Sequence, residues 1–177
     1  MKGYRVRGAT AKDLETLVRQ RHKMFEEMRQ PSEKEHRVAD KAYRTWAREK
    51  MKSGLLRCLL VTDSSGKVVS GGCAWLREVQ PAPGRPLSTM PYLMSMYTEP
   101  AFRRRGLAGL IVRGLMEWAR DRGYARMTMH ASEAGRGLYS ELGWERSWEM
   151  RVDLPKASAR REKGPIAARA RSSRPAG

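Results

Sequence analysis

Residues Glu99–Leu110 of this 177-residue chain have the sequence EPAFRRRGLAGL. They follow an apolar segment of strand length, Tyr92–Thr98, and lead into apolar residues at helical spacing. Neither the Gly-Lys-Ser/Thr ending of a Walker A loop nor the G-x-G-x-x-G spacing of a dinucleotide fold is present. A helix that starts after such a basic loop offers unpaired N–H groups and a positive dipole end. The stretch therefore predicts a phosphate site; the alternative is a basic loop that only starts a helix.

Strand and helix patterns alternate on both sides of this stretch. Short apolar runs predict strands, and apolar residues three and four apart predict helices. The expected strands are Tyr4–Arg7, Leu55–Thr62, Lys67–Leu76, Tyr92–Thr98, Tyr124–His130 and Trp144–Leu154. The expected helices follow Thr10, span about residues 35–52, run from Gly106 to Gly123 and cover Arg136–Leu142. The order β-α-α-β-β-β-α-β-α-β predicts a mixed α/β or α+β sheet with helices packed against it.

Two local signals refine this outline. Thr10 followed three residues later by Asp13 predicts a capping box at the start of the first helix. The pair Gly71-Gly72 inside a strand predicts a bulge or a close approach of the backbone.

The composition predicts one globular domain followed by a basic tail. Hydrophobic residues make up 40% of the chain, and no apolar run approaches the ~20 residues of a membrane helix. The domain is expected over residues 1–154. Residues 155–177, with seven basic residues and one acidic residue, are expected to form a flexible tail. The N-terminus shows no signal peptide, so a cytoplasmic protein without membrane contact is expected.

The net charge of +17 indicates an anionic partner. Nucleic acid, a membrane surface and a polyphosphate cofactor all fit, and charge alone does not choose among them. Cys58 and Cys73 form no CxxC pair, and the three histidines are scattered, so no metal site is expected. Both cysteines fall in apolar runs and are expected to be buried thiols.

Two motifs resemble those of the GNAT superfamily of N-acetyltransferases. Arg103-x-x-Gly106-x-Ala108 is similar to its acyl-CoA motif, R/Q-x-x-G-x-G/A, and Pro100–Arg103 resembles its Pro-x-Tyr/Phe-Arg lead-in. Leu138–Trp144 resembles its L-Y-x-x-L-G-F element, with Trp for Phe. The resemblance covers most of the chain outside the tail. It implies a mixed, mostly antiparallel central sheet of about six to seven strands flanked by about four helices.

The resemblance implies acetyl-CoA as the cosubstrate. The strand before the loop would pair its backbone with the pantetheine arm and leave an N–H facing the thioester carbonyl. The loop and the helix start would hold the pyrophosphate. The implied cofactor-binding residues are Met96, Tyr97, Thr98, Arg103, Arg104, Arg105, Gly106, Leu107, Ala108 and Tyr139.

The resemblance also implies direct transfer of the acetyl group to a primary amine of a small molecule, peptide or protein. Tyr139 matches the tyrosine that often protonates the leaving thiolate; the alternative is an aromatic anchor between helix and sheet. Tyr92–Thr98 departs from the family pattern, since it holds no acid or histidine to act as base. Glu99 and His130, at neighbouring strand ends, are the candidate bases. A water relayed through backbone groups, or an already deprotonated substrate, is the alternative.

Two further functions are compatible with the sequence. A nucleic-acid-binding basic protein is favoured by the charge and by the tail, which would contact nucleic acid weakly. Against it, no helix-turn-helix, zinc-finger or RNA-recognition motif is visible. A non-catalytic CoA-binding regulator on the same fold is favoured by the missing carboxylate. A monomer or a homodimer is expected, and the acceptor amine is not predicted.

Overall fold

The computed structural model describes residues 3–29 and 32–152. The elements follow the expected order through the last helix, with short 3-10 turns between some of them. The strands are β1 (Arg5–Gly8), β2 (Leu56–Thr62), β3 (Val68–Glu78), β4 (Thr89–Thr98) and β5 (Thr128–Met129). The helices are α1 (Leu14–Arg29), α2 (Glu33–Lys52), α3 (Leu107–Arg120) and α4 (Arg136–Glu141). The expected basic tail, residues 155–177, lies outside the described residues.

One sheet with the strand order β1-β2-β3-β4-β5 organises the fold. β1 to β4 pair antiparallel, and β5 pairs parallel with β4. The mixed, mostly antiparallel architecture is confirmed, and so are the four α-helices. The described residues form five strands, where six to seven were expected.

The expected strand Tyr124–His130 is wrong in its length. Only Thr128 and Met129 pair, opposite Tyr92 and Leu93 of β4. Pro91, which has no N–H to donate, precedes the paired segment. An irregularity in the β4 ladder follows directly after it. β4 therefore presents a regular backbone edge to β5 only around Tyr92 and Leu93.

The last expected strand, Trp144–Leu154, is also wrong over its described part, since residues 144–152 contain no strand. Trp148, Met150 and Val152 alternate with polar residues and are strongly exposed. Such alternation favours an extended backbone, but a strand also needs a hydrogen-bonded partner. Residues 146–152 are not part of the strand ladders of the described sheet. Within this segment the Arg146 guanidinium lies 5.2 Å from the centroid of the Trp148 ring.

β2 is buried on both faces because helices cover the sheet on both sides. Successive side chains of a strand point to opposite faces. Leu59 and Val61 pack with residues of α3, and Cys58 and Leu60 pack with residues of α1 and α2. The sheet is thus the middle layer of a three-layer core.

α3 packs through residues that recur every four positions. Leu107, Ile111 and Leu115 are almost completely buried, and this spacing places them on one face of the helix. Burying each such side chain contributes roughly 1.5–3 kcal/mol. This face fixes α3, and with it the loop that precedes it, against β2, β3 and β4.

α1 follows a short turn that begins at the expected Thr10 signal. The Asp13 carboxylate accepts a hydrogen bond from the Thr10 N–H at 2.8 Å, so the pairing of the two residues is confirmed. Asp13 also receives two hydrogen bonds from the Arg7 guanidinium, at 2.7 and 2.8 Å. The start of α1 is thereby joined to β1.

Cys58 and Cys73 face each other across β2 and β3, and both are buried free thiols, as expected. Across the described ranges, the helices are too short or too polar to cross a bilayer. The cytoplasmic location stays a prediction.

Candidate active site

A bulge in β4 lies opposite the glycine pair of β3. Gly71 pairs with Tyr97 and Cys73 pairs with Met94, so Ser95 and Met96 together face Gly72. Ser95 has a φ of 54°, in the left-handed region that side chains other than glycine rarely adopt. The bulge expected from Gly71-Gly72 is confirmed, and it turns the backbone of the strand that precedes the basic loop.

β4 and β5 separate directly after their short ladder. Their last pair is Leu93 with Met129, while β4 continues to Thr98 along β3. In the part of the chain that the structure describes, no strand pairs with the other edge of Met94–Thr98. Backbone groups on that edge are available to an extended ligand, which can add to a sheet edge as a strand does.

The start of α3 lies just after this edge and carries no cap. Gly106 has a φ of 73°, which glycine adopts without strain, and it offers no side chain to cap the helix. The first hydrogen bond runs from the Leu110 N–H to the Gly106 carbonyl at 3.2 Å. The preceding amides of Leu107, Ala108 and Gly109 have no acceptor among the described residues. Unpaired amides at a helix start can bind an anion, and the phosphate site at this position stays a prediction.

Two of the three arginines of the loop are engaged by the protein itself. Arg103 donates from Nε to the Thr98 carbonyl at 2.9 Å and from Nη2 to both carboxylate oxygens of Glu27, at 2.6 and 2.8 Å. Arg105 donates to the Tyr4 hydroxyl at 2.9 Å and to a carbonyl within the loop. These contacts hold the loop against α1 and the N-terminal segment.

Arg104 and Arg113 are the two cations best placed to meet an anion. Arg104 is exposed, has a φ of 59°, and its guanidinium has no hydrogen bond or ion pair within the described ranges. Two guanidinium nitrogens of Arg113 lie 3.4 Å from the position of a Cβ on Gly109, so this side chain folds over the first turn of α3. Arg113 was not among the residues expected from the sequence, although it follows Gly106 by two helical turns and so lies on the same face of α3.

Tyr139 lies in the core beside α3. Its ring packs edge-on against Trp144, with 6.2 Å between the ring centroids, and closely against Gly135. The neighbouring Leu138 lies 3.6 Å from the Cβ position of Gly109, so α4 is adjacent to the first turn of α3. Burial raises the pKa of Tyr139 above its ordinary value. The phenol is therefore protonated at neutral pH and able to donate a proton.

Glu99 lies in a network that joins α1 to β4. The Lys23 ammonium donates to both of its carboxylate oxygens, at 2.9 and 3.1 Å, and the Tyr97 hydroxyl donates at 3.4 Å. Burial, with the charges of Glu99 and Glu27, raises the pKa of Tyr97 to about 12. Glu99 is thus partly buried and held by donors on two sides.

His130 lies where β4 and β5 separate. Its Nδ1 is hydrogen-bonded to the Tyr92 hydroxyl, and Tyr92 in turn lies 4.6 Å below the Arg77 guanidinium. Arg77 also donates to the Thr128 hydroxyl at 3.0 Å. The two candidate bases therefore belong to separate networks, one at each end of the β4 edge.

Comparison with known proteins places the chain among the acetyltransferases. The sequence model of the acetyltransferase (GNAT) family matches residues 21–144, and the chain belongs to this family. Among curated proteins, none matches the sequence significantly.

Solved structures share the fold over most of this chain. A GCN5-related N-acetyltransferase from Ralstonia eutropha JMP134 is 25% identical with a TM-score of 0.78, covering 86% of this chain and 99% of its own. A predicted acetyltransferase from Clostridium acetobutylicum, solved with acetyl-CoA, is 23% identical with a TM-score of 0.76, covering 86% and 96%. A ribosomal-protein-alanine N-acetyltransferase from Brucella melitensis biovar Abortus 2308 is 15% identical with a TM-score of 0.63, covering 85% and 98%.

Proposed function

We propose that this protein transfers the acetyl group of acetyl-CoA directly to a primary amine. The observation that carries the proposal is the uncapped start of α3 beside the open edge of β4. The two features complement two parts of one ligand, a pyrophosphate and an extended chain of amides. Membership of the GNAT family supports the same activity.

The cofactor site in this proposal is built mainly from backbone groups. The amides of Leu107, Ala108 and Gly109 bind the pyrophosphate, and Arg104 and Arg113 add positive charge beside it. Because Arg103 and Arg105 are engaged by Glu27 and Tyr4, their contribution is to hold the loop in position. The arginines expected from the sequence thus divide into two roles.

The edge of β4 binds the pantetheine arm and the thioester. Backbone groups of Met96–Thr98 pair with the pantetheine amides, as they would with a neighbouring strand. The bulge at Ser95–Met96 turns one N–H of the strand towards the thioester carbonyl, where it stabilises the oxyanion. This donor is fixed before the substrate arrives, because β3 and α3 pack against the bulge.

The transfer forms one C–N bond and breaks one C–S bond. The neutral amine attacks the acetyl carbon, the tetrahedral intermediate collapses, and the CoA thiolate leaves with the electrons of the C–S bond. Tyr139 donates its phenolic proton to that sulfur, since burial keeps the phenol protonated. The amine proton goes to a base, and Glu99 and His130 are the two candidates.

Two conservative variants separate the candidate bases. Glu99→Gln and His130→Gln each keep a side chain of similar size while removing the basic group. The variant that lacks the base should lose on the order of 100-fold in kcat/KM at neutral pH. The other variant should keep a kcat/KM close to the wild-type value. If both variants stay close to the wild-type value, the amine either arrives already deprotonated or loses its proton through a water relay.

The acceptor favoured by the described surface is an amine of low positive charge. The carboxylates of α1 and α2 are largely engaged: Glu15 with Arg44, Glu27 with Arg103, and Glu33 with Arg37. A polycationic acceptor would therefore meet few unpaired acidic groups on a protein of net charge +17. Monoamines, amino acids and peptide N-termini come first in an acceptor screen, with polyamines and aminoglycosides as the contrast.

The proposal is tested by a thermal-shift titration with CoA and a thiol-release assay with acetyl-CoA and amines. Gly106→Glu brings bulk and negative charge to the anion site, and Gly54→Glu is its control. Gly54 has a φ of 72°, nearly that of Gly106, and open space around it. Wild type and Gly54→Glu should be stabilised by ~1 mM CoA, whereas Gly106→Glu should not. Absence of stabilisation in the wild type would overturn the proposal.

A further inference from the structure

Three potential metal ligands meet between α1 and α2. His22 lies on α1, and His36 and Asp40 lie four residues apart on one face of α2. One ligand atom from each residue lies within 4.8 Å of the other two. None of the three is assigned above to acetyl transfer. The spacing of His22 and His36 along the chain gave no sign of this cluster, because the contact depends on how the two helices pack.

Two buried polar atoms of the cluster lack partners. His36 is 93% buried, since its relative exposure is 7%. Within the part of the chain that the structure describes, His36 Nε2 and Asp40 Oδ1 have no hydrogen-bond partner. Buried polar groups are normally paired, and an unpaired one points to a ligand or ion that completes it. A cation held by these residues would give both atoms a partner.

We propose that His22, His36 and Asp40 bind a divalent transition-metal ion that cross-links α1 and α2. Two imidazole nitrogens and one carboxylate oxygen form a ligand set typical of Zn²⁺, with water in the fourth position. Ligand atoms around tetrahedral zinc lie about 3.3 Å apart. The ligand atoms of the three residues all lie within 4.8 Å of one another. At His22 Nδ1 the ion takes the place of the proton in the 2.7 Å hydrogen bond to Asp40 Oδ2. The His22 side chain is 36% exposed, which gives an ion access from solvent.

The alternative is a purely polar contact between the same residues. The His22 and His36 rings are stacked, with centroids 3.9 Å apart and planes inclined by 22°, while His22 is hydrogen-bonded to Asp40. The neighbouring cation, Arg21, lies 4.6 Å from the centroids of both the Phe25 and Tyr43 rings. Neither the ring stacking nor the hydrogen bond provides a partner for His36 Nε2 and Asp40 Oδ1. A bound metal ion would provide one for both atoms.

The test uses the full-length, tag-free protein after treatment with a chelator. Zn²⁺ is titrated by calorimetry, and the thermal midpoint is followed in parallel. Binding should occur with one ion per chain and raise the midpoint by roughly 5–10 °C at a hundredfold excess over Kd. Co²⁺ reports the ligands: nitrogen and oxygen ligands give only visible d–d bands, while thiolates of Cys58 and Cys73 would add sulfur-to-metal bands in the near ultraviolet.

Three variants locate the site. Asp40→Asn and His22→Ala should each weaken Zn²⁺ binding at least about tenfold and abolish most of the thermal shift. His130→Gln removes the remaining histidine of the chain and should leave Zn²⁺ affinity unchanged. Asp40→Asn keeps the size of the side chain, and His22 is partly exposed, so both variants should retain the wild-type circular dichroism spectrum. Unchanged Zn²⁺ affinity in these two variants, thiolate bands with Co²⁺, or no binding at ~1 mM Zn²⁺ would each overturn the proposal.

Discussion

Gly72 of β3 and Met96 of β4 approach so closely that a Cβ atom on Gly72 would lie 2.2 Å from the Met96 sulfur. The same Cβ would lie 3.0 Å from Cγ2 of Ile111 on α3. The absence of a side chain at Gly72 therefore lets the Met96 side chain, at the bulge of β4, pack between β3 and α3. In the proposed mechanism this bulge also directs the N–H that stabilises the oxyanion.

Gly72→Ala should accordingly reduce both stability and turnover. Overpacking of this kind costs about 1–3 kcal/mol, and displacement of Met96 should lower kcat by more than about tenfold because the oxyanion donor moves. Urea unfolding and steady-state kinetics measure the two effects. The control is Gly137→Ala in α4, where a Cβ has nothing within 4 Å; it should leave stability unchanged or raise it by up to about 1 kcal/mol. A variant that is less stable but has normal kcat would remove the bulge from the mechanism.

The division of roles among the arginines gives a second prediction. Arg104→Gln and Arg113→Gln should each raise the Kd for CoA, by roughly three- to tenfold, because each removes a charge beside the pyrophosphate. Arg103→Gln should change this Kd less. It should lower the free energy of unfolding by about 1 kcal/mol at most, since Arg103 and Glu27 are both substantially exposed.

Calorimetric titration with CoA and urea unfolding of the same three variants check this order. Dephospho-CoA serves as a second ligand, since it keeps the pyrophosphate and should show the same ranking. The order would be contradicted by an Arg103 variant that loses more affinity than the other two at equal stability. In that case the Arg103–Glu27 ion pair opens when the cofactor binds.

The features that the sequence predicted are those set by local chemistry. Gly106 ends the loop because a φ of 73° suits glycine, and Thr10 with Asp13 marks the start of the first helix. The bulge opposite Gly71-Gly72 was predicted because glycines inside a strand imply an unusual backbone approach. Each of these signals lies within a few residues of its effect.

The features that the sequence did not predict depend on contacts between distant segments. Arg103 pairs with Glu27, which is 76 residues away, and this removes it from the charges available to a phosphate. His22 meets Asp40 only because α1 packs on α2. β5 is short because β4 can pair with it at only two positions. This limit lies in the backbone of β4 and leaves no sign in the residues of β5. Strand length and charge pairing are thus properties of the packed fold.

Tyr139→Phe tests the proposed acid. The phenylalanine ring keeps the packing against Trp144 and Gly135, so stability and CoA affinity should stay close to wild type. Loss of the proton donor should lower kcat by on the order of 100-fold. Because burial raises the pKa of Tyr139, the wild-type rate should lose the contribution of this group only at a pH above that at which an ordinary phenol ionises. Stopped-flow measurement of the chemical step is the readout, and an unchanged rate would leave Tyr139 as an aromatic anchor only.

Asp13 gives a stability prediction with a defined dependence on pH. Hydrogen bonds from Arg7, followed by those from Thr10, hold the pKa of the Asp13 carboxyl well below its usual range. A carboxyl with a lower pKa in the folded state stabilises the fold above its unfolded value of about 3.9, and this contribution is lost as the pH falls towards the folded value. Asp13→Asn should therefore cost about 1 kcal/mol at pH 7, and progressively less below about pH 4.

Urea unfolding of wild type and Asp13→Asn at pH 7, 5, 3 and 2 measures this difference. Asp121→Asn is the matched control, because its carboxylate lies 3.7 Å from Arg120 at an exposed helix end and, within the described ranges, receives no comparable hydrogen bonds. The control should match wild type at every pH, since exposed pairs of this kind contribute little. A difference for Asp13→Asn that stays constant from pH 7 to pH 2 would mean that Asp13 stabilises the start of α1 by its shape and polarity, independently of its charge.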